Sequence, residues 1–124
     1  MASDRMMEYY YSMGQDCLHM GDMDEAVTYF RKAANMGAME AAYEIFVLGR
    51  QWEKGDGLDK DESKAENCYK ISVDYGIEEA GLALGKLYLR GINGNKPNPR
   101  KARRMLEHST QQGSAEAASH LGKI

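Results

Sequence analysis

The chain has 124 residues, 43% of them apolar and 28% charged, with two prolines and a formal net charge of −3. No apolar run approaches the ~18 residues of a membrane helix, and the start Met1-Ala2-Ser3-Asp4-Arg5 lacks the basic-then-apolar order of a secretory leader. A cytoplasmic protein without membrane contact is therefore expected, with little general attraction to nucleic acid. Charge is nonetheless polarised, at −4 over residues 1–40, −5 over 41–80 and +6 over 81–124.

Taken in chain order, the first segment marks its second helix with Ala26 and places a cap residue, Asp22, four residues before it. Asp22 with Glu25 has the spacing of a capping box, and Gly37 closes the helix. In the next segment Ala42, Ile45, Phe46, Leu48, Gly49 and Trp52 recur at helical spacing over Ala41 to Lys54, before Gly55-Asp56-Gly57 breaks the pattern. A second helix starts at Asp61, whose carboxylate can cap exposed N–H groups, and runs to about Tyr75 with Gly76 as its stop. The third segment repeats this with Asn98 as cap, Pro99 at the first helical position, Ala102 and Gly113. Ala115 to Ile124 is one further helix, whose apolar stripe Ala117, Ala118, Leu121 and Ile124 has no helix after it; this predicts a piece of a longer array.

Two interleaved signals share one period. Gly-x-x-Glu-Ala begins at Gly37, Gly76 and Gly113, in steps of 39 and 37 residues, while Gly14, Gly49, Gly85 and Gly122 follow one another in steps of 35, 36 and 37. A period of that size indicates stacked helical pairs, about three being the minimum for a stable array. Mid-helix glycine costs about 1 kcal/mol against alanine, so glycines at one shared register predict close helix contact. Units are expected at approximately 5–39, 40–78, 79–115 and, in part, 116–124.

These residues resemble the Sel1-like repeat family, relatives of the tetratricopeptide repeat. The second unit carries Leu48-Gly49, Trp52, Gly55, Gly57, Leu58, Asp61, Lys64-Ala65, Tyr69-Lys70 and Gly76 at the positions of the family's motif. The third carries Leu84-Gly85, Tyr88, Gly91, Lys101-Ala102 and Gly113 with an altered loop at Ile92-Asn93-Gly94. The first departs from the pattern with a short loop and Cys17 at the aromatic position. The resemblance implies an all-α, right-handed α-solenoid of helix-turn-helix repeats.

Chemistry-bearing motifs are missing from the sequence. His19, His108 and His120 fall in different units with no ligand-spaced partner, Gly55-Asp56-Gly57 follows no strand, and no serine nucleophile signature occurs. Asp59, Asp61 and Glu62 read as a solvated loop and helix start. Cys17 and Cys68 sit at unrelated offsets, as packed, reduced thiols would. No catalysis, metal or cofactor is expected. Seven methionines crowd residues 6–39, either as core filling or as an adaptable contact surface.

In the tetratricopeptide relatives the first helix of each unit lines a concave, partner-binding face. By register this implies an apolar row of Tyr11, Phe46 and Leu82 beside Gln15, Arg50 and Lys86, with His19, Lys54 and Arg90 one turn on. Such a face suits an acidic or carboxylate-ended peptide of another protein. A secondary basic patch, Lys96, Arg100, Lys101, Arg103 and Arg104, crowds a helix N-terminus, where the dipole disfavours cations. It could dock an acidic protein face or, against the acidic part of a second copy, give head-to-tail association. Nucleic-acid binding is not expected there, since no exposed aromatics accompany the bases. The expected role is a non-enzymatic scaffold or adaptor; the alternative is a structural or regulatory module of a larger chain, mediating self-assembly or intramolecular contacts.

Overall fold

A computed structural model describes residues 2–124, except for the side chain of Ala2. Seven α-helices account for the described architecture: α1 (Ala2–His19), α2 (Met23–Asn35), α3 (Met39–Lys54), α4 (Glu62–Asp74), α5 (Glu78–Arg90), α6 (Pro99–Gln111) and α7 (Ala115–Leu121). Each helix packs chiefly against its neighbours in sequence, the α1–α2, α3–α4 and α5–α6 pairs most closely. This is the all-α repeat stack that the periodicity predicts.

Three devices set each pair. The first is an anchor across the loop. The backbone N–H groups of Asp22, Asp61 and Asn98 donate to the carbonyls of Cys17, Trp52 and Tyr88, all at 2.8 Å, although the loops between them differ in length. The second is capping. The Asp61 and Asn98 side chains accept from the N–H of Lys64 (3.0 Å) and Lys101 (3.1 Å), and Ser114 does the same for Ala117. Asp22 departs from expectation: it makes no side-chain cap bond, so no capping box forms with Glu25. The short α1–α2 link holds Asp22 at φ −91° and ψ 72°, away from the extended geometry of Asp61, and leaves its carboxylate in solvent.

The third device is steric. Gly14, Gly49 and Gly85 lie so close to Phe30, Tyr69 and Leu106 that an added Cβ would stand 2.6, 2.8 and 2.7 Å from those side chains. Ala26, Ala65 and Ala102, one turn earlier on the same second helices, are fully buried. The glycine register is therefore a contact seam between the two helices of each pair. Gly122 shows the rule by exception, since a Cβ there would meet only backbone of its own helix. At the pair ends, Gly37, Gly76 and Gly113 take φ of 104°, 83° and 104°, a region that costs glycine little.

The methionines divide between the two readings. Met7 and Met23 pack against the core, while Met6, Met20, Met36 and Met39 are exposed.

Candidate partner-binding surfaces

The first helices α1, α3 and α5 present the register row as a set of unequal positions. Phe46 is not available as an outward apolar residue: it is 3% exposed, with its ring centroid 5.7 Å from that of Tyr69 and the Arg50 guanidinium 4.9 Å above it. Leu82, its counterpart on α5, stays half-buried, and Tyr11 packs its ring 5.5 Å from Phe30. Burial, then the charges of Glu44 and Glu40, raise the Tyr11 phenol above its ordinary value, so it stands as a neutral donor. A cavity of about 240 Å³ opens here, lined by Met7, Glu8, Tyr11, Ser12, Ala38 and Glu40.

The expected row of cations is only partly free. Arg50 and Lys54 are exposed, and among the described residues neither has a carboxylate within ion-pair distance. Lys86 instead pairs with Glu116 of α7 at 3.1 Å. Gln15 is exposed, and the His19 ring lies 3.0 Å from the Gln15 carbonyl. The pairing of Lys86 was legible in the same register: the position six before each seam glycine holds Glu8, Tyr43, Glu79 and Glu116. Acids thus accompany the bases along these helices, and the face is not uniformly cationic.

Arg90 serves the fold. Its guanidinium donates to Glu62 Oε2 at 2.7 Å and Glu53 Oε2 at 3.1 Å, and the Asn93 N–H donates to Glu62 Oε1 at 3.0 Å. Glu62 is buried, and the bond from Arg90 holds its carboxyl below the usual range against the opposing effect of burial. The Tyr69 hydroxyl donates to Glu53 and the Tyr88 hydroxyl to Glu66; burial first, then these carboxylates, push both phenols far up. A carboxylate that sequence alone places in a solvated loop is therefore the centre of a buried network.

The basic patch is exposed throughout: Lys96, Arg100, Lys101, Arg103 and Arg104 all face solvent, with the Lys101 ammonium 5.5 Å from the centre of the Tyr88 ring. Cys17 and Cys68 are buried and unpaired, and burial pushes the Cys68 thiol up to about 12. Among the described residues, no three His, Cys, Asp or Glu side chains group as metal ligands, and no helix is long and apolar enough to cross a membrane.

Known proteins share the fold. The chain is 30% identical over 105 residues to chitin synthase regulatory factor 1 of Schizosaccharomyces pombe, a match that takes in 83% of this chain but 22% of that protein. The chain thus spans about a fifth of the relative's length. Among solved structures, a Sel1 repeat protein from Oxalobacter formigenes superimposes with a TM-score of 0.66 at 26% identity, covering 98% of this chain and 92% of that one. The protective antigen c5321 of uropathogenic Escherichia coli, described as displaying an SLR fold, gives 0.65 at 27% identity over 95% of this chain and 26% of its own. Cysteine-rich protein B of Helicobacter pylori, at 22% identity, shares the fold with a TM-score of 0.61 over 97% of this chain and 95% of its own. The Sel1 repeat pattern matches residues 1–37, 40–74 and 79–114, most of the sequence, and the chain belongs to the Sel1 repeat family.

Proposed function

We propose that this chain is a non-catalytic adaptor that binds a peptide segment of another protein along α1, α3 and α5, on what would be the concave face of the solenoid. Sel1 repeats generally mediate contact between proteins. The observation that carries the reading is the pairing of an apolar cavity, lined by Tyr11 of α1 and Glu40 of α3, with two exposed α3 cations, Arg50 and Lys54, that have no carboxylate at ion-pair distance among the described residues. Glu40 and Arg50 are ten residues apart, about 15 Å along a helix. An extended chain covers that with about four to five residues. The ligand is thus a short segment with an apolar side chain at one end and a carboxylate at the other. Acids at Glu8 and Glu40 disfavour negative charge beside the cavity, which sets the direction of the segment. Two reduced, buried thiols fit a reducing compartment, and we place the protein in the cytoplasm.

The test is a peptide panel offered with a free carboxylate and again as the amide. Binding should favour the carboxylate and weaken at least about tenfold in Arg50→Glu/Lys54→Glu, which turns two attractions into repulsions. Equal binding of both forms by both proteins would contradict the proposal. A second reading, a regulatory module within a larger chain, is favoured by the small share of the fission-yeast and E. coli relatives that this chain spans. In that case the peptide that binds would come from the parent chain itself.

A further inference from the structure

We infer that the groove between α4 and α6 is a second docking surface, which takes an acidic protein segment carrying one bulky apolar side chain. It opens between two second helices over a floor supplied by α5, and it uses none of the residues of the first-helix row above. A cavity of about 300 Å³ lies there, with half-buried Val73 and Met105 as walls over the buried Leu84 and Tyr88. That volume is at the lower end for ligand pockets and suits a single leucine- or phenylalanine-sized side chain. Lys101 and Arg104 stand at its rim with Lys70, which is paired with Glu66 at 3.4 Å, and the lining itself contains one acid, Asp74.

Charge identifies the occupant. Lys96, Arg100, Lys101, Arg103 and Arg104 are all exposed, and among the described residues none has a carboxylate at ion-pair distance. Of the seven helices, α6 alone carries no acid in its first turn. A cluster of like charge at the positive end of a helix dipole is locally unfavourable and gains when carboxylates arrive. Single-stranded nucleic acid is a poorer fit. The aromatic ring in the groove, Tyr88, is 5% exposed and covered by Lys101, so no base can stack on it. The acidic loop 56–61 of a second copy is also a poor fit, because Leu58, its apolar side chain, is packed against its own core.

The experiment is fluorescence anisotropy of the purified chain with a labelled peptide of about nine residues, one central Phe flanked by Asp and Glu. Binding is expected, with at least about a tenfold loss in Arg104→Glu and in a second variant, Lys101→Gln. A comparable loss is expected when the peptide's Phe becomes Ser. Arg50→Glu/Lys54→Glu should bind as wild type, which separates this surface from the first. The proposal is overturned by no binding, by equal binding of the Ser peptide, or by tighter binding of a single-stranded oligonucleotide of about fifteen nucleotides. Self-association that Arg104→Glu abolishes would overturn it too, by making a second copy the occupant.

Discussion

The two junctions between successive helical pairs are built on different physics. Between the second and third pairs, Glu62 lies buried with Arg90, Glu53 and the Asn93 N–H around it, and Asn93 Nδ2 donates to Ser63 Oγ at 2.7 Å. Between the first and second pairs the one ion pair among the described residues, Lys64 with Asp24 at 2.9 Å, lies on the surface. The polar tie there is neutral, the Tyr75 hydroxyl donating to Asn35. A buried charge demands every one of its partners, whereas a surface pair is largely replaceable by water. The third pair is thus fixed to the second by a charge-sensitive latch, and the first pair by contacts that tolerate change.

Unit composition follows the same division. Lys64 lies 5.3 Å from the Trp52 ring and Lys101 5.5 Å from the Tyr88 ring, equivalent pairs in the second and third units. The first unit has Glu25 and Cys17 at those places, so cation and ring are missing together. Lys32 instead lies 5.4 and 5.5 Å from Tyr10 and Tyr29.

The largest expected effect lies outside both junctions and sets the scale for them. Gly85→Leu forces a branched side chain into Leu106 and should abolish the cooperative melting transition seen by circular dichroism. Gly122→Ala, at the same register but with no facing helix, should leave that transition unchanged. Next comes the latch. Glu62→Ala strands the Asn93 N–H and one side of Arg90, at a cost of about 1–3 kcal/mol, the lower part because Arg90 can rehydrate. Urea denaturation measures it. The Asp24→Asn change at the other junction should leave the urea midpoint where it is.

Acid sharpens the contrast. The Glu62 carboxyl is held below its unfolded value, so its contribution is present above the ordinary carboxylate range and disappears as pH falls through the folded value. The stability gap between wild type and Glu62→Gln should be full at neutral pH, begin to narrow at about pH 4.3 and close once pH is below the folded value. A gap that persists in acid would remove Glu62 from the role assigned to it.

The sequence made some of this legible and hid the rest for definite reasons. A seam glycine is demanded by backbone proximity, so its period survives in the chain as Gly14, Gly49 and Gly85. The caps Asp61 and Asn98 are equally local. Which register residues face outward depends on the side chain opposite. Phe46 is covered, with Tyr69 and the Arg50 guanidinium against its ring, while Leu82 at the same register stays half-buried. Arg90 carries the same register as Lys54, yet it reaches Glu62, the residue after the Asp61 cap, whereas Met23 holds the equivalent place in the first unit. Such pairings join residues about thirty positions apart and leave no periodic trace.

The most direct measurement of the central claim is crosslinking of the chain to its captured partner, with the linked lysines mapped. Our account predicts crosslinks from Lys54 and Lys86 on the first-helix face, lost in Arg50→Glu/Lys54→Glu at Lys86. Crosslinks confined to Lys70 and Lys101, unchanged by that variant, would contradict it.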